Sequence, residues 1–102
     1  MPKKAMDTLT ESMFYVLMAL NAGPKCGIEI ARFIEQRTRE RLRMGPATLY
    51  TILGKFEQEK YIQETDVDGR KRTYTITGRG IDSYRQELQR LKQCVFDAEG
   101  GI

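Results

Sequence analysis

"GPATLYTILGKFEQEKYI", residues 45–62, decides the fold. Pro46 follows Gly45, and proline is favoured at the first position of a helix, where a missing N–H leaves no bond unmade. Leu49, Ile52, Leu53 and Phe56 then obey the i, i+3, i+4, i+7 spacing of a helix with one buried stripe. At about 100° per residue, that stripe fixes the opposite side. Ala47, Thr51, Gly54 and Gln58 point outward, flanked by Thr48, Tyr50 and Lys55. After Lys60 the period changes and the helix gives way to a strand. A short, polar, mildly basic helical surface is left bare, and the rest of the chain must say what lies against it.

Upstream, residues 26–38 read as a helix with Ile30, Ala31 and Ile34 as its stripe and Phe33 beside them. "RERLRMG", residues 39–45, is a charged connection in which Leu42 or Met44 turns inward. Two helices joined in this way give the helix-turn-helix outline. Residues 1–7 read as a loose arm, and Thr8 to Glu11 has the spacing of a capping box that opens a first helix. Leu9, Met13, Val16, Leu17 and Leu20 share one face of that helix, with Phe14 and Met18 nearly opposite. A helix apolar on two faces is covered on two sides. Asn21-Ala22-Gly23-Pro24 ends it.

Downstream, Ile62 and Thr65 begin a strand, and Asp68-Gly69 is a hairpin-turn pair. "TYTIT", residues 73–77, alternates Tyr74 and Ile76 against Thr73 and Thr75. A two-stranded hairpin is marginal alone, so its apolar side packs on the helices and Arg70-Lys71-Arg72 projects from its tip. Thr77 caps a last helix over residues 78–97, whose first turn Gly78 and Gly80 weaken. Its apolar positions Ile81, Tyr84, Leu88, Leu91 and Val95 are spaced like a coiled-coil seam. No later segment covers that seam, so it predicts a homodimer in which Phe14 and Met18 receive the partner's helix; the alternative is a helix folded back on its own domain. The fold class is mainly α with a small β-hairpin. Residues 1–77 form a winged helix-turn-helix domain, and residues 78–102 a C-terminal dimerisation helix with a frayed tail.

The composition narrows the function. With 102 residues, 40% hydrophobic and 30% charged, the chain suffices for one small core. No apolar run approaches the ~20 residues of a membrane helix. The two early lysines are not followed by the apolar stretch of a signal peptide, so the expected location is cytoplasmic, with no membrane partner. Cys26 and Cys94 lack the paired spacing of a metal or redox motif and read as reduced. There is no histidine, which removes the commonest general base and zinc ligand. No nucleophile–base pair, metal cluster or phosphate loop is evident, so no catalysis, metal or cofactor is expected.

The net charge of +3 is modest, but the cations gather at Lys3-Lys4, at Arg37, Arg39, Arg41 and Arg43, and at the hairpin tip. A basic tip beside a helix-turn-helix points to double-stranded DNA. Reading helices contact bases through their N-terminal residues. That selects Ala47, Thr48, Tyr50 and Thr51, with Lys55, Arg70, Lys71 and Arg72 for phosphate or a minor groove.

"LTESMFYVLMAL" (9–20), "MGPATLYTILGKFEQEKYI" (44–62) and "DGRKRTYTITGRG" (68–80) resemble the PadR family of bacterial transcriptional regulators, over about residues 8–95. The resemblance is to short members with a single C-terminal helix. It implies a dimeric winged helix-turn-helix repressor whose third helix and wing bind a palindromic operator. Pro46, Thr48, Leu49 and Tyr50 would be its motif, and Gly69, Arg70 and Arg72 its wing. Cys26-Gly27-Ile28 departs from the His-Gly-Tyr frequent in that family. Some short members bind flat aromatic drugs between subunits, stacked on tryptophan. This chain has no tryptophan, and Tyr84 and Phe96 are its candidates for such a space. A regulator sensing an aromatic or cationic compound at the dimer interface, and a winged-helix module that docks proteins, are the alternative functions.

Overall fold

The computed structural model describes residues 9–69 and 71–101. Helix α1 spans Glu11–Asn21 and is capped by Thr10, whose hydroxyl accepts from the Met13 N–H at 3.1 Å. The cap therefore falls on Thr10. Thr8 and the 1–7 arm lie outside the described residues. Met13, Phe14, Val16, Leu17, Ala19 and Leu20 are all buried, so α1 is covered on both faces as its pattern requires. The Lys25 ammonium closes its far end, donating to the carbonyls of Ala19 at 2.7 Å and Gly23 at 3.3 Å. A cation there also meets the negative end of the helix dipole.

Strand β1 is two residues, Lys25–Cys26, and α2 follows directly as Gly27–Arg37 with Ile30 and Ile34 wholly buried. Leu42 and Met44 both lean on the core from the connection to α3, Pro46–Gln58. Leu49, Ile52, Leu53 and Phe56 are buried. Each such burial is worth about 1.5–3 kcal/mol. Turning α3 over would expose all four, at a cost comparable to the stability of a small domain. The outward face is thus set by the core.

The end of α3 is a Schellman turn. Lys60 takes a left-handed φ of 66°, the Tyr61 N–H reaches the Phe56 carbonyl at 2.9 Å, and the Lys60 N–H reaches Glu57 at 3.1 Å. Strand β2, Ile62–Asp68, then pairs antiparallel with β3, Lys71–Ile76, with a bulge between Glu64 and Asp66. Gly69 in the connection has φ +61°, a conformation that favours glycine. The predicted hairpin is present, but it gains a third strand: β1 pairs with β3, Lys25 opposite Tyr74 and Cys26 opposite Thr73, giving the order β1-β3-β2.

Helix α4, Gly78–Ala98, is capped by Thr77, whose hydroxyl accepts from the Gly80 N–H at 3.1 Å and donates to the Lys60 carbonyl at 2.6 Å. The Thr77 N–H also donates to Tyr61 at 2.9 Å. The end of α3, the entry to β2 and the start of α4 are thereby joined around one peptide unit. Gly80 lies against it. A β-carbon there would fall 2.1 Å from the Tyr61 carbonyl oxygen, so this glycine is required by close approach.

Candidate nucleic-acid interface

The outward face of α3 is bare as the spacing predicts. Pro46, Ala47, Thr48, Thr51, Gly54 and Lys55 are exposed. The Thr51 hydroxyl donates to the Ala47 carbonyl at 2.8 Å, which leaves its methyl group and an acceptor lone pair facing out. Tyr50 is 53% exposed, but its phenol is not free in space. It sits over Gly27 at the start of α2, where a β-carbon would lie 2.5 Å from its oxygen.

The wing stands next to this helix. Gly69, Lys71 and Arg72 are exposed, and Arg70 lies outside the described residues. Arg72 faces Glu64 across the ladder at 3.5 Å. The pairing of β1 with β3 brings the first turn of α2 beside the wing, and a cleft of about 430 Å3 opens there, lined by Gly27, Glu29, Arg32, Tyr50, Lys71 and Arg72 among others. Within it the Cys26 N–H donates to the Glu29 carboxylate at 2.9 Å. That bond, with Lys71 and Lys25 nearby, holds the Glu29 carboxyl below the usual range. The cleft unites three elements where the sequence pointed to two. Ile28, Glu29 and Arg32 were missed because nothing in the sequence announces a two-residue strand. The available signal was their place on the α2 wheel, away from Ile30 and Ile34.

The run Arg37, Arg39, Arg41 and Arg43 is different. Arg41 pairs with Glu11 at 3.1 Å and reaches the Tyr15 hydroxyl at 3.1 Å. Arg43 pairs with Glu35 at 3.5 Å and with Glu40. The Arg37 guanidinium lies 4.7 Å over the Phe33 ring, with Lys25 at 4.9 Å from the same ring. Arg41 and Arg43 thus tie the connection between α2 and α3 to α1 and α2, while Arg37 covers Phe33 within α2.

The seam of α4 divides in two. Tyr84 stacks on Phe14 of the same chain, ring centroids 5.2 Å apart, and Leu88 and Leu91 pack beside it, half-buried. Ile81 and Met18 are half-buried, whereas Val95 and Phe96 are 55% and 51% exposed. Phe14, expected to await a partner's helix, is already covered by its own α4 because the chain turns back at Thr77 and lays that helix along α1. Glu87, buried on α4, is held by both arms of Arg90, at 2.9 and 2.6 Å. Of the cysteines, Cys26 is buried and Cys94 exposed, both free. Among the described residues there is no cluster of three metal-ligating side chains, and no helix is long and apolar enough to cross a membrane.

Helix α3 with its apolar stripe inward and a three-stranded sheet at its flank make a winged helix-turn-helix, and the family model of the transcriptional regulator PadR-like family matches residues 16–90. This chain belongs to the PadR-like family. Its members are transcriptional regulators, not enzymes. A transcriptional regulator from Clostridium thermocellum is 29% identical with a TM-score of 0.72, the match covering 84% of this PadR-like chain and 89% of that one. Bacillus subtilis PadR in complex with operator DNA has a TM-score of 0.68 at 20% identity, over 78% of this chain and 47% of that chain, a likeness of fold. An uncharacterized 37.1 kDa protein in transposon TN4556 of Streptomyces fradiae is 32% identical over 91 residues, 86% of this chain. The chain spans 26% of that relative's length.

Proposed function

We propose that this PadR-like chain is a sequence-specific repressor that binds a palindromic operator as a homodimer. The observation that carries the reading is the meeting of α3 and the wing: Tyr50, Lys71 and Arg72 line one cleft, beside the bare Ala47, Thr48 and Thr51 surface. Helix α3 enters the major groove by its N-terminal half, where threonine hydroxyls and the alanine methyl meet base edges and thymine methyls. Lys55, Lys71 and Arg72 take phosphates. Bacillus subtilis PadR, which shares the fold, was solved with operator DNA, and that supports the same use of the face here.

Selection of bound sequences from a random duplex pool tests this. A two-fold symmetric consensus with half-sites about 34 Å apart is expected. Affinity should fall steeply with salt, and Lys71→Ala with Arg72→Ala should flatten that dependence. Absence of any enriched sequence would favour a protein-docking module instead.

A further inference from the structure

The first two turns of α3, Pro46 to Ile52, carry no arginine, lysine, asparagine, glutamine or carboxylate. Those are the side chains that hold guanine and adenine by paired hydrogen bonds, or accept from cytosine. What these turns expose is short: Pro46, Ala47, Thr48 and Thr51, with the Tyr50 ring held to one side over Gly27. Thr51 stands at the middle of the face. Ala47 is four residues before it and Gly54 three after, so the three lie along one line of the helix. The Thr51 hydroxyl has a partner already, the Ala47 carbonyl at 2.8 Å. A hydroxyl carries one proton, so Thr51 has none to give to a base. Its methyl group remains, on the same line as that of Ala47. An accepting lone pair also faces out, but neither Ala47 nor Gly54 adds a second polar contact beside it. Open space surrounds the point where a Gly54 side chain would begin, so a base edge can settle on the two methyl groups.

We propose that Thr51, with Ala47 beside it, reads the C5-methyl group of a pyrimidine, so that this position of each half-site accepts thymine or 5-methylcytosine and rejects uracil or unmodified cytosine. This rests on the DNA-binding function proposed above and gives its reading face a base preference. Thymine is the one unmodified base that shows an apolar group in the major groove. The methyl group of 5-methylcytosine stands in the same place. The two bases differ at their 4-position, where thymine accepts and cytosine donates. A polar side chain separates them by that difference, whereas a methyl group does not. Methylation of a cytosine at this position therefore turns a rejected half-site into an accepted one with no change of sequence.

The test is binding of the full chain to its selected duplex, with the thymines of each half-site replaced one position at a time. At the position that Thr51 meets, uracil removes the methyl group alone and should weaken binding about fourfold per half-site, the worth of one buried methyl group. At the same position 5-methylcytosine should bind more tightly than cytosine by a similar factor. Thr51→Ser keeps the hydroxyl and loses the methyl group, so it should bind the thymine and uracil duplexes alike there. Thr51→Val keeps the methyl group and loses the hydroxyl, so it should retain the wild-type ratio. Each ratio is taken within one variant, so a change in stability cancels. Thr51→Ser that keeps the ratio at every position overturns the proposal, because another residue then holds the methyl group. Thr51→Val that binds more weakly while Thr51→Ser binds as wild type assigns the contact to the hydroxyl and overturns it as well. A wild-type chain that binds its selected duplex but treats thymine and uracil alike throughout overturns the methyl reading and leaves the proposed function standing. A wild-type chain that enriches no sequence overturns both together.

Discussion

Gly54 stands at the centre of α3 with nothing within 4 Å of the point where a side chain would begin. A glycine in a helix interior costs about 0.5–1 kcal/mol relative to alanine. Gly54→Ala should therefore raise the thermal midpoint by about 4 °C. Gly54 also shares the outward face with Ala47 and Thr51; where that face meets DNA as proposed, a missing side chain would let the backbone come close. The same variant should bind the selected duplex several-fold more weakly; a variant both more stable and equally tight would make Gly54 only a weak point in the helix. Tyr74 offers a second residue-scale test. Burial, then the charges of Glu57 and Glu64, raise its phenol above the ordinary value of 10.0, against the pull of Arg72. The folded state thus keeps this proton more tightly than the unfolded state. Stability is fully present below about pH 10 and is lost as pH rises through the raised folded value. The tyrosinate absorbance that Tyr74→Phe removes should be absorbance that rises above the ordinary tyrosine range. Tyr74→Phe should flatten the alkaline decline in urea stability. A wild-type minus Tyr74→Phe difference that rises at the ordinary tyrosine value would refute the assignment.

At the scale of elements, α4 is fastened at its beginning. Gly80→Ala would drive a β-carbon into the Tyr61 carbonyl and to within 2.8 Å of the Ile76 side chain. Backbone cannot yield as an exposed side chain can, so a loss of about 3 kcal/mol or more is expected. That lowers the thermal midpoint by more than about 10 °C. Circular dichroism melts check it, with Gly78→Ala as the control, since open space surrounds Gly78. The sequence alone makes these two glycines look equivalent, because a helix propensity scale has no knowledge of the peptide that crosses at Gly80. The α3 stripe was legible for the opposite reason: four apolar residues at helical spacing leave one orientation that buries them all. Thr77 was legible as a cap because its partner is three residues away. The pairing of Arg41 with Glu11 was not, since 30 positions separate them and only the packing of α2 against α1 brings them together. The same holds for β1 and, through it, for the place of Arg32 beside the wing.

The whole molecule is elongated, 53 × 37 × 22 Å, and the end of α4 carries two exposed apolar side chains, Val95 and Phe96. Tyr84, Leu88 and Leu91 are half-covered by α1, while one turn further on Val95 is 55% exposed in line with them. In a single chain Val95 is more than half exposed, so a charge placed there costs the fold little and acts on any partner that covers it. For a homodimer joined along this seam, Val95→Glu should shift sedimentation equilibrium toward the monomer, with an unchanged circular dichroism spectrum. Binding should respond by geometry. Two linked reading helices gain affinity through effective concentration, which is lost when the subunits separate. Val95→Glu should therefore weaken binding to a duplex with both half-sites by about a hundredfold. On a duplex with one half-site it should bind as wild type does. Equal weakening on both duplexes would mean that the substitution damages the DNA-binding face. A variant that stays dimeric and binds both as before would place the subunit contact elsewhere than the end of α4.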